Sequence, residues 1–213
     1  MANNKRRNEI QQVYQRKAKE QQYEAVTKRI FKFPCIALAI SVLVLLLLFV
    51  SFADVYNSAA GAGVEVKVSG WSFVIAAITR DYNSTAKVYG NLAVPFYYYA
   101  GEWCESVATF TLIAAIAIIF TVVVQIIAVA VKKAHVLNGI SAILGVVSAV
   151  MLIVSFAKGL GMKNGEILTT YCNNNPLCSI RSFAIFPALF CLAGSVVSTI
   201  AAVKYKNAAK LLK

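Results

Sequence analysis

The chain has 213 residues, of which 59 % are apolar and 14 % charged, against about a quarter charged in an ordinary soluble domain. A mean hydropathy of +0.68 argues against a water-soluble fold. With 21 Lys+Arg against 9 Asp+Glu the net charge is +12, which in a chain this apolar points to anionic lipid and not to nucleic acid.

Residues 1–32 are a basic N-terminal segment with helical spacing. Ile10, Val13, Tyr14, Ala18, Val26 and Ile30 recur between Asn8 and Phe31 with Lys, Arg and Gln between them, and Glu24 stands four residues before Lys28. The apolar face of this amphipathic helix is thin. Laid on an anionic inner leaflet, each basic residue would contribute about 1 kcal/mol; the simpler account is that the charges fix the topology of the membrane spans. Phe33–Ala53 is 21 residues without a charge and contains Leu45–Leu48; about 20 helical residues cross a bilayer, so this is the first span. Pro34 sits in its first turn, where a missing N–H costs little. The apolar stretch is longer than a signal-peptide core, so it is expected to stay as an anchor. Rich in Leu and Val, it shows no ridge of small residues, and it is expected to face lipid or a partner helix.

The first loop, residues 54–105, is too long for a connector. Val64, Val66 and Val68 alternate with Glu65, Lys67 and Ser69, the period of a strand. Gly70-Trp71 comes next, then an apolar run Phe73–Ile78, a polar turn, and a second run from Val88 to Trp103. A small β-element on the outer surface fits this pattern. Phe96, Tyr97, Tyr98, Tyr99 and Trp103 precede the second span, where an aromatic belt at headgroup level accounts for them; a partner-contact patch that also includes Trp71 is the sharper reading. Asn83-Ser84-Thr85 is a glycosylation sequon.

Three further uncharged stretches lie at 106–131, 136–157 and 182–203, so four spans are expected. On the third, Ser141, Gly145 and Ala149 recur at every fourth residue, as do Gly194, Ser198 and Ala202 on the fourth; such ridges let helix backbones approach closely. Pro187 is expected to kink the fourth span. The second loop, 158–181, holds Cys172 and Cys178 around an Asn/Pro turn, read as a structural disulfide, with Cys104 left over. Cys35 and Cys191 lie within spans as small apolar fillers. A basic tail, 204–213, ends the chain.

Fifteen of the basic residues fall in 1–32, at Lys132 and Lys133, and in the tail; six fall in the two long loops. Positive segments stay inside, so both termini are expected in the cytoplasm. None of the four stretches contains Asp, Glu, Lys or Arg, the groups that mark pumps and membrane enzymes. Gln125 is placed too shallow for the bilayer centre. The lone His135 has no second His with which to share a metal. No Cys-x-x-Cys pair supports membrane thiol redox. No catalytic residue, cofactor or metal is expected.

The fold expected is an all-α integral membrane protein, a four-transmembrane-helix bundle with a small, partly β extracellular loop domain. This layout, with Gly70-Trp71 after a strand, a tight basic turn, and Lys87-Val88-Tyr89-Gly90-Asn91-Leu92-Ala93-Val94-Pro95 ahead of the second span, resembles the claudin and peripheral-myelin-protein superfamily of tetraspan proteins. Val74 and Ala86 stand near the places of that family's paired loop cysteines, the N-terminal segment is longer than the family's, and no functional residue carries over. The expected role is non-enzymatic: an accessory or assembly subunit, or an adhesion-type scaffold, whose partners are membrane lipid and another membrane protein or a second copy of itself. An oligomeric channel or transporter lined by Ser, Thr and Gln125 is the alternative.

Overall fold

The computed structural model describes residues 2–57, 64–80, 96–131, 134–164 and 178–210. Six α-helices and three strands are described: α1 (Ala2–Ile30), α2 (Lys32–Leu47), β1 (Ser51–Asn57), β2 (Val64–Ser69), α3 (Gly70–Thr79), α4 (Phe96–Ala130), α5 (Ala134–Asn164), β3 (Cys178–Ile180) and α6 (Phe186–Ala209), the last preceded by a 3₁₀ turn, Ser182–Ile185. Four helices are long and apolar enough to cross a bilayer. The protein is a multi-pass membrane protein.

α2 packs on α4 and α6, and α5 packs on both α4 and α6, closing a ring of four. The residue types are distributed inside-out relative to a soluble bundle. α5 buries Ala134, Asn138, Ser141, Gly145, Ser148, Ala149, Leu152 and Ser155, at helical spacing, while Ile140, Ile143, Val147 and Val150 face outward. On α4 the outward residues include Ile116, Phe120, Val123 and Ile127; on α6 they include Leu189, Val196, Ile200 and Val203. Lipid tails are as apolar as these side chains, so the helices are held by close backbone approach and hydrogen bonds, not by apolar burial.

The first span departs from expectation at both ends. Phe31, between α1 and α2, keeps right-handed helical torsions (φ −53°, ψ −28°) and donates its N–H to Thr27 O at 3.0 Å. α1 therefore continues the first span. Pro34, with no N–H to offer Ile30, interrupts the ladder there. At the other end α2 stops at Leu47, and Ser51, Phe52 and Ala53 form β1 instead of the end of a span. Phe52 and Ala53 are apolar because they are buried under the sheet, 3 % and 0 % exposed.

β1 is the central strand of an antiparallel sheet ordered β2-β1-β3. Val55 pairs with Val66 on one side and with Cys178 on the other, with an irregularity between Ser51 and Ala53. Arg181 N–H to Phe52 O at 2.8 Å extends the β3 edge. The strand expected from Val64, Val66 and Val68 is β2, but the apolar run Phe73–Ile78 is helix α3. The third strand comes from the second loop, so both long loops join one cap.

α4 begins ten residues before the expected span and α5 runs past Ala157 to Asn164. Pro187 lies in the first turn of α6, directly after the 3₁₀ turn, a position proline accepts because its missing N–H would have no partner within α6, and not inside the span where a kink is expected. The basic tail is largely helical, since α6 continues through Ala209.

Candidate functional site

Two constructions hold Trp71, Gln125 and the small-residue ridges. The first is the junction between the cap and the bundle. Ser69 caps α3, its Oγ accepting from Ser72 N–H at 3.1 Å and lying 3.0 Å from Ser72 Oγ, which satisfies one of the free donors of the first turn. Gly70 is required by close approach: a Cβ there would lie 2.9 Å from Phe52 Cζ and 3.0 Å from Leu48 O. That contact lets Trp71 N–H reach Leu48 O at 2.9 Å, while the Trp71 indole N–H donates to Leu45 O at 3.3 Å. Two carbonyls orphaned by the end of α2 are thus satisfied from α3. The half-buried Trp71 ring packs on Phe49 with centroids 5.6 Å apart, tilted by 42°.

α3 buries Phe73, Val74 and Ala76 and leaves Ile75 and Ile78 exposed, 56 % and 66 %. Phe49, beside Trp71 at the α2 end, is 67 % exposed. The exposed residues of α3 are Ile75, Ile78 and Thr79, and Arg80 closes the helix in the left-handed region at φ 53°. Arg is an unusual occupant of a position that favours glycine.

The second construction is a polar seam inside the bundle. Gln125, fully buried on α4, donates from Nε2 to Ser141 Oγ of α5 at 2.7 Å and to Ser198 Oγ of α6 at 3.0 Å. One amide thus ties three helices. Nearer the loop face, Thr111 and Ser155 Oγ atoms lie 2.8 Å apart, and Ser155 donates to Val107 O at 3.2 Å. Ser195 donates to Ala142 O at 2.7 Å. Gln125 Oε1 and Asn138 Oδ1 are buried and meet no partner among the described residues, an arrangement that costs roughly 1–3 kcal/mol per group. A void of about 10 Å³ lies among Ser41, Thr121, Ser141, Ser148 and Ser195, enough for one water.

The small-residue ridges fall on this seam, but not as two mating stripes. Gly145 faces Ser195 and Cys191 of α6, whereas Gly194 faces Ile40 of α2. Ser141 and Ser198 approach to 3.5 Å under Gln125. Ala149 is fully buried; Ala202 is half-exposed, and its neighbour Ala201 takes the buried place. The first span has a small-residue stripe of its own, with Pro34, Ala37 and Ser41 buried, although it is the least buried of the four spans.

Phe96, Tyr97, Tyr98, Tyr99 and Trp103 lie on the first turns of α4, as does Cys104, and Cys178 begins β3. Cys172, Asn83 and the stretch 87–95 lie outside the described residues, and with Cys172 the disulfide reading. Among the described residues no cluster of three His, Cys, Asp or Glu side chains could hold a metal. Sequence reasoning missed Gln125 as the centre of the seam; the signal available was a lone amide in an otherwise uncharged span.

Fold and site define a four-span membrane protein with a sheet-and-helix cap. No family model, no curated protein and no solved structure matches the chain.

Proposed function

We propose that this is a non-enzymatic membrane protein that works through protein–protein contacts made by its cap, as an accessory or assembly subunit of a membrane complex or an adhesion-type scaffold, with both termini cytoplasmic and the cap outside. The observation that carries this reading is the division of labour between inside and outside. The buried polar side chains of the spans bond within the bundle, to one another or to backbone carbonyls, and Ile75, Ile78 and Phe49 stand exposed near the anchored Trp71. Exposed apolar groups clustered on a built surface are a feature of contact sites. Phe96, Tyr97, Tyr98, Tyr99 and Trp103 are proposed as further contact residues on the strength of their composition and their place at the start of α4, and the resemblance to tetraspan proteins of the claudin type is in keeping with this reading.

A pore formed between copies is the second reading. Its lining would come from outward faces of the spans, where Ile, Leu, Val and Phe predominate beside a few Ala and Thr such as Thr109 and Thr199, while Gln125, Ser141 and Ser198 are engaged within one chain. Native mass spectrometry of the protein extracted from its own membrane in mild detergent separates the two. A second polypeptide that is retained by the native chain and lost on Ile78→Glu supports the contact reading. A closed homo-oligomer that passes a solute in vesicles overturns it, as does a lone monomer.

A further inference from the structure

On the face of the bundle where α1 joins it and α6 ends, a groove of about 520 Å³ opens between α1 and the ends of α4 and α6. That volume falls within the roughly 300–1,000 Å³ of small-molecule sites. α1 packs on the bundle through its last turns, where Ile30, with Tyr23 and Val26, meets Ala128, Ala134, Tyr205 and Ala208. The groove lies alongside this contact.

Its lining is graded. Phe31, Lys28, Glu24 and Glu20 line it from the α1 side, at spacings of three, four and four residues, which places them on one helix face. At 1.5 Å per residue they succeed one another at about 4.5, 6 and 6 Å along the axis. Phe31 adjoins the span and faces Val129, Ala130 and Val131 across the groove. Leaving the membrane, the order is therefore apolar, cation, carboxylate, carboxylate. Among the described residues none of Glu20, Glu24 and Lys28 closes an ion pair.

We infer that this groove holds one zwitterionic phospholipid. Such a lipid presents acyl chain, phosphate and ammonium in that order, so each level meets its complement: chain on Val129–Val131 and Phe31, phosphate on Lys28, ammonium on Glu24 and Glu20. Tyr23 and Tyr205 also line the groove, and aromatic side chains attract quaternary ammonium. An anionic lipid satisfies the first two levels but sets an uncharged or anionic headgroup against two carboxylates. The chain's net charge of +12 thus stands beside a site that prefers a zwitterionic headgroup to an anionic one.

The full chain is reconstituted into vesicles of equal dioleoylphosphatidylcholine and dioleoylphosphatidylglycerol, extracted in mild detergent, and its retained lipid identified by native mass spectrometry. The native chain is expected to retain phosphatidylcholine. In Glu20→Gln/Glu24→Gln that retention falls about five-fold, as for two exposed ion pairs, with phosphatidylglycerol not reduced. Lys28→Gln lowers both lipids, since both carry the phosphate. Retained lipid that mirrors the vesicle composition, or a preference that survives the double variant, overturns the inference. The native preference is itself a readout, so the test stands even where a variant fails to fold; circular dichroism checks that it has.

Discussion

A single methyl group at Gly145 tests whether close helix approach organises the bundle. A Cβ at this position runs into Ser195 Oγ and comes within 3.4 Å of Cys191 O and 3.5 Å of Ser195 Cβ. Ser195 can yield only by giving up its 2.7 Å hydrogen bond to Ala142 O, worth about 0.6 kcal/mol on average between membrane helices. Overpacking adds roughly 1–3 kcal/mol and the helix propensity of Ala over Gly offsets up to about 1 kcal/mol, so Gly145→Ala is expected to cost about 1–2.5 kcal/mol. Two other glycines calibrate this. At Gly194 the nearest atom is Ile40 Cγ2 at 3.3 Å, the end of a side chain that can shift, and Gly139 has nothing within 4 Å. Gly194→Ala should cost less than about 1 kcal/mol, and Gly139→Ala should be neutral or stabilising by up to about 1 kcal/mol, from helix propensity alone. Loss of helicity on titration with sodium dodecyl sulfate in mixed micelles measures all three. In a Ser195→Ala background the obstructing oxygen is gone and Gly145→Ala should become cheap, a coupling of at least about 1 kcal/mol. Equal costs at Gly139 and Gly145, or additivity within about 0.5 kcal/mol, would mean that the approach of α5 to α6 at Gly145 does not organise the bundle.

The same titration applies to the seam. Gln125→Leu removes two hydrogen bonds but also the unpartnered Oε1, so it should change stability by no more than about 1 kcal/mol, whereas Ser141→Ala/Ser198→Ala strands the whole amide and should cost about 2–3 kcal/mol; the opposite order would show that the seam is not satisfied through Nε2. Gly70→Ala places a methyl against the Leu48 carbonyl, which is backbone and cannot rotate away, and should cost about 2 kcal/mol, seen as faster amide exchange in β1 and α3. Trp71→Phe should keep the contact with Phe49 and lose only the bond to Leu45 O, so its effect on the same exchange should be about 1 kcal/mol, against roughly twice that for Trp71→Ala. Cys191, 6 % exposed and packed against Gly145, should resist maleimide in the folded protein and react on unfolding, as read by peptide mass mapping.

The number of spans was legible because it depends on a one-dimensional property, the length of chain without charge, and the bilayer imposes that length directly. β2 was legible for a similar reason: alternation at Val64, Val66 and Val68 is local. Phe52 and Ala53 were not, because an apolar run does not record whether it is buried in lipid or under a sheet, and only pairing with β2 and β3 decides. β3 is three residues long and has no period to detect. The helicity of Phe73–Ile78 rests on Ser69 as its cap and on Phe73, Val74 and Ala76 finding a surface on α4, which no local pattern reveals.

Charge and hydropathy along the chain therefore determined that this protein crosses a membrane four times and where its small and polar residues lie. They could not determine what those residues meet. That Gln125 joins Ser141 to Ser198, that Gly145 faces Ser195 while Gly194 faces Ile40, and that Trp71 closes the end of α2 are facts about elements distant in sequence. Such contacts arise only when helices pack at a particular rotation about their axes. In lipid that rotation is set by backbone approach and by hydrogen bonds across the helices, terms that exist only once the partners have met.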